Sequence, residues 1–182
     1  MFCNHRNQNT MENSRELMLL RHGKSSWETP ANDFDRDVTD KGKHHAEEIG
    51  LWLKQHQKTP DYVICSPARR AQITAEIVCQ TLGIAKEDIN YEHQLYNADV
   101  SDIFNTLKTC PPHSRRVLVV GHNPSIEIMV QQLSINQSIS NIDRSEPIRP
   151  ATLICFAIDK DWNELSPHSA KLTSITHGKY LS

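Results

Sequence analysis

The chain has 182 residues, of which 37% are hydrophobic and 23% are charged, and its formal net charge at pH 7 is −2. This length can bury one hydrophobic core, and the nearly balanced charge gives no electrostatic reason to expect nucleic acid or an anionic membrane as a partner. No apolar run approaches the roughly 18 residues that a membrane-spanning helix needs.

The chain begins with a polar segment, residues 1–15, that lacks the apolar middle of a secretory signal. We expect a disordered tail there, with Met11 as an alternative start of translation, followed by a single domain over 16–182. The five cysteines include no CxxC motif, and most of them lie within apolar patterns. Such thiols are best explained as small buried side chains in a protein of the reducing cytoplasm. The sequence does not specify the oligomeric state, and a monomer is compatible with it.

Short apolar runs alternate with helical patterns along the rest of the chain. The runs lie, in chain order, at 16–20, 61–65, 116–120 and 151–158. The first three are continuous and apolar, as strands covered on both faces should be. We expect a further edge strand in 164–182 and a surface loop in 136–150, which is rich in Ser, Asn and Pro.

The helical patterns complete the alternation. The first begins at Thr39 or Asp40, and the second ends at Gly83, a residue typical of the position after a helix. A third pattern, over 100–107, follows the i, i+3, i+4, i+7 rule, and a fourth precedes the last apolar run. Alternating strands and helices predict an α/β fold, a three-layer α/β/α sandwich around a mostly parallel central sheet.

The apolar strands end on cationic side chains. The segment RHG (21–23) follows the first strand, SPARR (66–70) the second and GHNP (121–124) the third. In a parallel sheet these ends lie at the same carboxyl edge, where open α/β folds bind ligands. Histidines and arginines gathered there repel one another unless an anion lies between them. Each motif alone could be a cap or a tight turn, but their matching positions indicate one site.

A phosphate group meets this requirement, because it carries about −1.5 to −2 charges near neutral pH. Arginine binds phosphate oxygens in pairs. The fourth helix, with Asn123 as its expected cap and Pro124 in its first turn, offers free N–H groups to an anion. A neutral histidine can also act as a nucleophile. Arg69 and Arg70 are unfavourable at the start of a helix, which indicates that at least one of them has another role.

The three motifs resemble those of the histidine phosphatase superfamily, also called phosphoglycerate-mutase-like. They read RHG at 21–23, SPARRAQITAE at 66–76 and GHNPSIE at 121–127. The resemblance covers the chain from about residue 16 onward. Within the superfamily the chain looks most like the SixA-type phosphohistidine phosphatases, on the segments DFDRDVTDKG (33–42) and LYNAD (95–99) and on the closing strand. This resemblance implies a phosphoglycerate-mutase-like fold and a metal-independent phosphatase.

The resemblance also assigns roles to individual residues. His22 corresponds to the nucleophile that takes the phosphoryl group, and His122 to the second histidine that steadies it. Arg21 and Arg70 correspond to the paired clamps on the phosphate oxygens. Gly23 is expected either to let the backbone approach the phosphate closely or to permit an unusual turn.

The implied reaction has two steps, in which neutral His22 attacks phosphorus and water then hydrolyses the phosphohistidine. Fixed cationic donors take the place of a metal ion, so no metal or cofactor is expected. The general acid for the leaving group is left open between Glu92, the first candidate, and His93, whereas Asp99 is expected to cap the next helix. Arg69 is expected to be a surface neighbour of the site.

Other kinds of site fit the sequence less well. Segment 33–44 has alternating aspartates but lacks the glycine and the glutamate that a calcium loop requires. Asp35 and Arg36 are instead expected to pin this loop beside the pocket. The pair His44-His45 lacks the HExxH spacing of a zinc site, and the motifs of P-loop nucleotide hydrolases and serine hydrolases are absent.

Three functions remain open from the sequence. The first is a phosphatase for phosphohistidine in a protein partner, the second a phosphatase for a small phosphorylated metabolite, and the third a non-catalytic module that senses phosphorylated ligands. The chain shows no large insertion that could cover the pocket, which favours an open site and a protein substrate. Pure binding does not need a nucleophile such as His22, which disfavours the third.

Overall fold

The computed structural model describes residues 14–26, 32–135 and 147–181, so nearly all of the predicted tail and most of the predicted loop 136–150 lie outside it. A six-stranded sheet has the order β3-β2-β4-β1-β5-β6. The first four strands in this order are parallel neighbours, whereas β5 is antiparallel to β1 and β6 to β5. The strands are β1 (Arg15–Arg21), β2 (Tyr62–Cys65), β3 (Ile89–Tyr91), β4 (Arg116–Gly121), β5 (Thr152–Ile158) and β6 (Ala170–His177).

Helices cover both faces of the sheet. They are α1 (Asp40–Gln55), α2 (Arg69–Leu82), α3 (Val100–Lys108) and α4 (Ser125–Leu133), joined by short 3₁₀ turns. Thr39 caps α1 through its side chain, and Asp99 caps α3 in a capping box with Asp102. Gly83 ends α2 in the left-handed conformation at φ 77°, which glycine adopts without steric cost.

Two apolar cores lie on opposite faces of the sheet. Leu17 and Leu19 of β1 pack in the core that α3 and α4 cover, whereas Met18 and Leu20 pack in the core that α1 and α2 cover. All four side chains are fully buried, which stabilises the fold by roughly 1.5–3 kcal/mol for each. Successive residues of the same strand thus face two helical layers. The predicted three-layer sandwich with a mostly parallel sheet is confirmed.

Two elements differ from the prediction. The short strand β3 was missed, because its sequence INY has no apolar run or alternation that marks a strand. The helix α4 begins at Ser125 and has no side-chain cap. Asn123 is therefore not its cap: its side-chain nitrogen Nδ2 donates to Glu127 Oε1 at 2.6 Å and to the Ile148 carbonyl at 2.9 Å. The predicted edge strand near the C-terminus is confirmed as β6.

The four cysteines among the described residues are buried and carry free thiols, which the apolar patterns around Cys65, Cys79 and Cys155 had indicated. In the described part of the chain, no helix is long and apolar enough to cross a membrane.

Candidate active site

The ends of three neighbouring strands meet at the carboxyl edge of the sheet. Arg21 and Gly121 are paired across β1 and β4, so His22 and His122 follow at the same level, and their ring centroids are 5.1 Å apart. Ser66, which follows β2, donates its backbone N–H to the carbonyl of Val120 in β4 at 3.0 Å. The predicted convergence of the three motifs is confirmed.

His22 is buried, and one of its ring nitrogens is committed to the backbone. Its Nδ1 lies 2.7 Å from the carbonyl oxygen of Gly23. Because a carbonyl only accepts hydrogen bonds, this contact places a proton on Nδ1 and leaves the lone pair of the neutral ring on Nε2. Burial, followed by the charges of Arg70 and Arg21, lowers the pKa of His22 to about 4. At neutral pH the ring is therefore uncharged and carries a free lone pair.

The two adjacent arginines at the start of α2 point in different directions. Arg70 is only 7% exposed and donates to Asp33 twice, from one terminal nitrogen to the backbone carbonyl and from the other to Oδ2 at 3.0 Å. Arg69 is exposed and pairs with Asp37 Oδ2 at 3.1 Å. An α-helix turns by about 100° for each residue, so neighbouring side chains leave it on different faces. The structure therefore places Arg69 on the surface, as expected, and buries Arg70.

Arg21 is the last residue of β1 and is half-buried beside the same cluster. One terminal nitrogen donates to the Ile148 carbonyl, and its Nε is buried without a hydrogen-bond partner among the residues that the structure describes. Burial lowers its pKa, and the carboxylate of Glu127 opposes that shift. Glu127 also accepts from the backbone N–H of Ile148 at 2.6 Å, so it fixes the segment against which Arg21 rests.

His122 is 8% exposed and touches the protein through only one of its ring nitrogens in the part of the chain described. Its Nε2 lies 2.7 Å from Ser66 Oγ, whereas Nδ1 is buried without a partner. Burial, followed by His22 and Arg70, lowers the pKa of His122 to about 3. Unpartnered buried polar atoms are rare in folded proteins. The Nε of Arg21 and the Nδ1 of His122 are both of this kind, as expected where a polar ligand belongs.

Comparison with known proteins supports a phosphate-handling interpretation of this cluster. Residues 17–103 match the sequence model of the histidine phosphatase superfamily, branch 1. The fold matches that of the proposed phosphohistidine phosphatase SixA from Nakamurella multipartitia, with a TM-score of 0.78 and 27% identity over 90% of this chain and 96% of that one. The chain thus matches the histidine phosphatase superfamily by sequence in its first half and shares the fold of a SixA protein over most of its length.

Other relatives are similar to this chain over different shares of its length. An uncharacterized protein of Mycobacterium tuberculosis is 27% identical over 86% of this chain and 98% of its own. A 2,3-bisphosphoglycerate-dependent phosphoglycerate mutase of Bradyrhizobium sp. is 40% identical, but only over 38% of this chain and 35% of its own. The protein histidine phosphatase SixA complexed with tungstate shares the fold at 20% identity, with a TM-score of 0.75 over 92% of this chain and 99% of that one. Together these likenesses support a phosphatase of the histidine phosphatase type.

The structure adds Asp33 and Tyr96 to the cluster, two residues to which the sequence analysis assigned no role. Asp33 contacts Arg70, accepts from Arg36 through Oδ1 at 3.0 Å and accepts from the Tyr96 hydroxyl through Oδ2 at 3.2 Å. The Tyr96 ring lies 6.1 Å from that of His122, between centroids. Arg36 is buried, and its charge acts on His22. The spacing Asp-x-x-Arg in the DFDR segment was the one signal available for Asp33.

Two predicted site residues, Gly23 and Asn123, have different contacts from those expected. Gly23 donates its N–H to Thr74 Oγ1 at 2.9 Å, and a Cβ on it would lie 2.9 Å from the Gly42 carbonyl. Its φ is not positive, so the expectation of an unusual turn was wrong, and the glycine permits close packing against α1. Both donor contacts of the Asn123 side chain go to protein oxygens, and within the described ranges its Oδ1 is buried without a partner.

The two candidates for the general acid do not join the cluster. Glu92 and His93 are exposed, and the charge of Glu92 acts on Tyr62 of β2. In the described part of the chain, no contact joins either side chain to His22 or His122. Among the described residues, the carboxylate that pairs with Arg70 is that of Asp33. Among the same residues, no group of three or more metal-ligating side chains is placed to hold a metal ion.

Proposed function

We propose that the protein removes the phosphoryl group from phosphohistidine on a partner protein, by way of a phosphohistidine formed on its own His22. The observation that carries the proposal is the hydrogen bond from His22 Nδ1 to the Gly23 carbonyl. It fixes the ring so that the other nitrogen, Nε2, holds the lone pair. With a pKa of about 4, the ring is an uncharged nucleophile at neutral pH.

In the first step the Nε2 lone pair of His22 forms a new P–N bond. The bond between phosphorus and the substrate nitrogen breaks, and its electron pair stays on the leaving ring, which departs as neutral imidazole because the other nitrogen of the substrate ring carries a proton in the reactive form. Charge on the equatorial phosphoryl oxygens is stabilised by the guanidinium groups of Arg21 and Arg70, which are held in place before the reaction. Arg70 is buried, so its attraction for the phosphoryl group is little weakened by water.

In the second step a water oxygen attacks the phosphorus carried by His22. The P–Nε2 bond breaks, the lone pair returns to the imidazole, and the proton of the water leaves with inorganic phosphate. The ring then regains its hydrogen-bonded form, with Nδ1 on the Gly23 carbonyl, and can react again. The arginine pair serves both steps, because the same phosphoryl group is transferred twice.

The protonation state of the site favours a P–N substrate over a phosphate ester. Partial burial acts against ionisation of Asp33, but the charge of Arg70 and the hydrogen bond from Arg36 prevail and lower its pKa below the ordinary value. Asp33 is therefore ionised at neutral pH and has no proton to give. An alkoxide leaving group needs such a proton, whereas an imidazole is a better leaving group and needs less assistance. A phosphohistidine substrate is therefore compatible with a site whose carboxylate is ionised.

We also propose that the protein works in the cytoplasm, since Cys65, Cys79, Cys110 and Cys155 are buried free thiols, which a reducing compartment preserves. The partner would then be a cytoplasmic protein that carries phosphohistidine.

A substrate panel tests the proposal. Purified protein in EDTA should release phosphate faster from a phosphohistidine-carrying phosphotransfer domain than from small phosphate esters. His22→Ala should abolish release, whereas His113→Ala, a change of an exposed histidine away from the cluster, should not. With ³²P-labelled substrate, an acid-labile and base-stable phosphoenzyme should accumulate in the wild type and be missing in His22→Ala.

Each alternative predicts a different result on this panel. Rapid turnover of small esters alone would favour a metabolite phosphatase, the class suggested by the partial likeness to a phosphoglycerate mutase. Tight binding of phosphate without turnover of any substrate would favour a sensing module. Turnover that survives His22→Ala would reject the nucleophile.

A further inference from the structure

Ser66 is a completely buried polar residue, and its hydroxyl lies against one ring nitrogen of His122. The distance from Ser66 Oγ to His122 Nε2 is 2.7 Å, within the normal range for a strong hydrogen bond. The residue stands between the end of β2 and the start of α2, and its exposed fraction is 0%. The hydrogen-bond pattern around this hydroxyl determines which nitrogen of His122 carries the proton.

The hydroxyl has one hydrogen and two lone pairs to place. Its oxygen accepts from the backbone N–H of Ala68 at 3.4 Å, and in the described part of the chain its one other partner is His122 Nε2. If the ring donated from Nε2, the hydroxyl hydrogen would be buried with no acceptor. The arrangement is satisfied when Ser66 donates to Nε2, which then bears the lone pair of the ring.

This assignment also determines the state of the other ring nitrogen of His122, Nδ1. A neutral imidazole carries one N–H, so a lone pair on Nε2 means that Nδ1 holds the hydrogen. Nδ1 is the buried ring atom of His122 that has no protein partner in 14–26, 32–135 and 147–181. We propose that Ser66 is a positioning residue that holds neutral His122 in its Nδ1–H form, so that this N–H donates to an oxygen of the bound phosphoryl group.

The proton position matters because the site keeps His122 uncharged. Burial is the main cause of its lowered pKa, and His22, Arg70 and Arg21 add to that effect, whereas the charge of Asp33 opposes it. A charged imidazolium would donate from both nitrogens, and its orientation would be unimportant. A neutral ring in the opposite form would present a lone pair to an oxyanion and repel it. The hydroxyl of Ser66 thus allows a neutral histidine to act as a phosphate ligand.

This inference rests on the proposed function only for the identity of the ligand, and its first test needs no substrate. Long-range ¹H–¹⁵N correlation spectra of the ligand-free wild type at neutral pH should show His122 protonated at Nδ1. In Ser66→Ala the spectrum should shift toward the Nε2–H form, and Ser66→Thr should restore the wild-type pattern. A wild-type spectrum with Nε2–H would overturn the inference, whether or not any variant folds.

Ser125→Ala is the matched control. Ser125 is also buried and also bonds to His122, but its hydroxyl donates to the backbone carbonyl at 2.9 Å and not to the ring. It should leave the proton on Nδ1. A shift in this variant as large as that in Ser66→Ala would mean that the spectrum reports general loosening of the site, and would count against the inference.

The second test measures the dissociation constant of inorganic phosphate by calorimetry. Ser66→Ala should raise it by about tenfold, the value of one lost hydrogen bond to a charged ligand. Ser66→Thr should recover most of the affinity, and Ser125→Ala should change it little. Equal losses in the two alanine variants would reject the inference. Because phosphate binding is independent of turnover, failure of the proposed reaction would appear separately, as intact binding without product.

Discussion

The carboxylate of Asp33 accepts a hydrogen bond from Arg70 at 3.0 Å. The guanidinium that we propose as a phosphate clamp is therefore already paired with an anionic side chain of the protein. Asp33 is half exposed at its side chain, whereas that of Arg70 is 8% exposed. The same carboxylate is held by Arg36 and Tyr96. Asp33 is therefore placed to orient Arg70 before substrate arrives and to compete with the phosphoryl group once it has arrived.

Asp33→Asn should lower the inhibition constant of inorganic phosphate several-fold. The amide keeps the shape of the side chain but removes the negative charge that competes for Arg70. Steady-state inhibition by phosphate at neutral pH measures the effect. Asp35→Asn is the control, because Asp35 lies in the same loop and its carboxylate accepts from Asn32 at 2.8 Å. An unchanged or raised inhibition constant in Asp33→Asn would show that the carboxylate only orients the arginine.

Arg70→Lys should reduce kcat/KM by about 100-fold, a size typical of the loss of one preorganised donor to a developing anion. Lysine keeps the positive charge but cannot grip two oxygens at once. Arg69→Lys is the matched neighbour, since Arg69 is exposed and pairs with Asp37 on the surface. It should retain nearly wild-type kinetics, because surface ion pairs contribute little. Similar losses in the two variants would argue against the assignment of the inward clamp.

The stability of the fold should fall on acidification below pH 6.5. His22 has a pKa of about 4 in the folded protein, whereas an unfolded histidine titrates near 6.5. As the pH falls between these values the unfolded chain takes up the proton first, so stability is lost with acid and is constant above that window. His22→Gln should flatten the dependence by about 1.4 kcal/mol per pH unit within it.

Urea unfolding at several pH values in phosphate-free buffer measures this slope. His113→Gln replaces an exposed histidine outside the site and should retain the wild-type slope. If His22→Gln also retained it, the folded ring would be as basic as the unfolded one, and the uncharged nucleophile would lose its support.

The sequence predicted the site residues that stand directly at strand ends and failed where a side chain depends on a distant partner. Arg21, His22 and His122 are placed by strand register, which an apolar run followed by a motif indicates well. The orientation of Glu92 is set by a loop, and no periodicity constrains it. Asp33 reaches the site through Arg70, a contact between a loop and the helix α2 whose relative position depends on the whole fold.

The role of Gly23 could not be predicted either, because the contact that requires a glycine there is with α1, a helix that follows later in the chain. Both Gly23 and Gly42 are needed where the segment after β1 crosses the first turn of α1. Neither has a positive φ, so backbone conformation does not explain them. A sequence motif indicates that a glycine is present, but only the packed structure shows which atoms approach it.

Gly42→Ala should therefore lower both stability and activity, although alanine favours an α-helix over glycine by about 1 kcal/mol. Its Cβ would lie 2.6 Å from the Lys24 carbonyl oxygen and 2.8 Å from the Lys24 nitrogen, and backbone atoms at such distances must move apart. The net loss should be about 1–3 kcal/mol, the usual cost of overpacking. Movement of Lys24 would also displace His22, two residues earlier, and reduce kcat.

Gly121→Ala is the control beside His122, since its Cβ would meet Ile126 at an ordinary 3.7 Å. Thermal unfolding and turnover of the two variants should differ clearly, and a stabilised Gly42→Ala would contradict the packing described for this crossing.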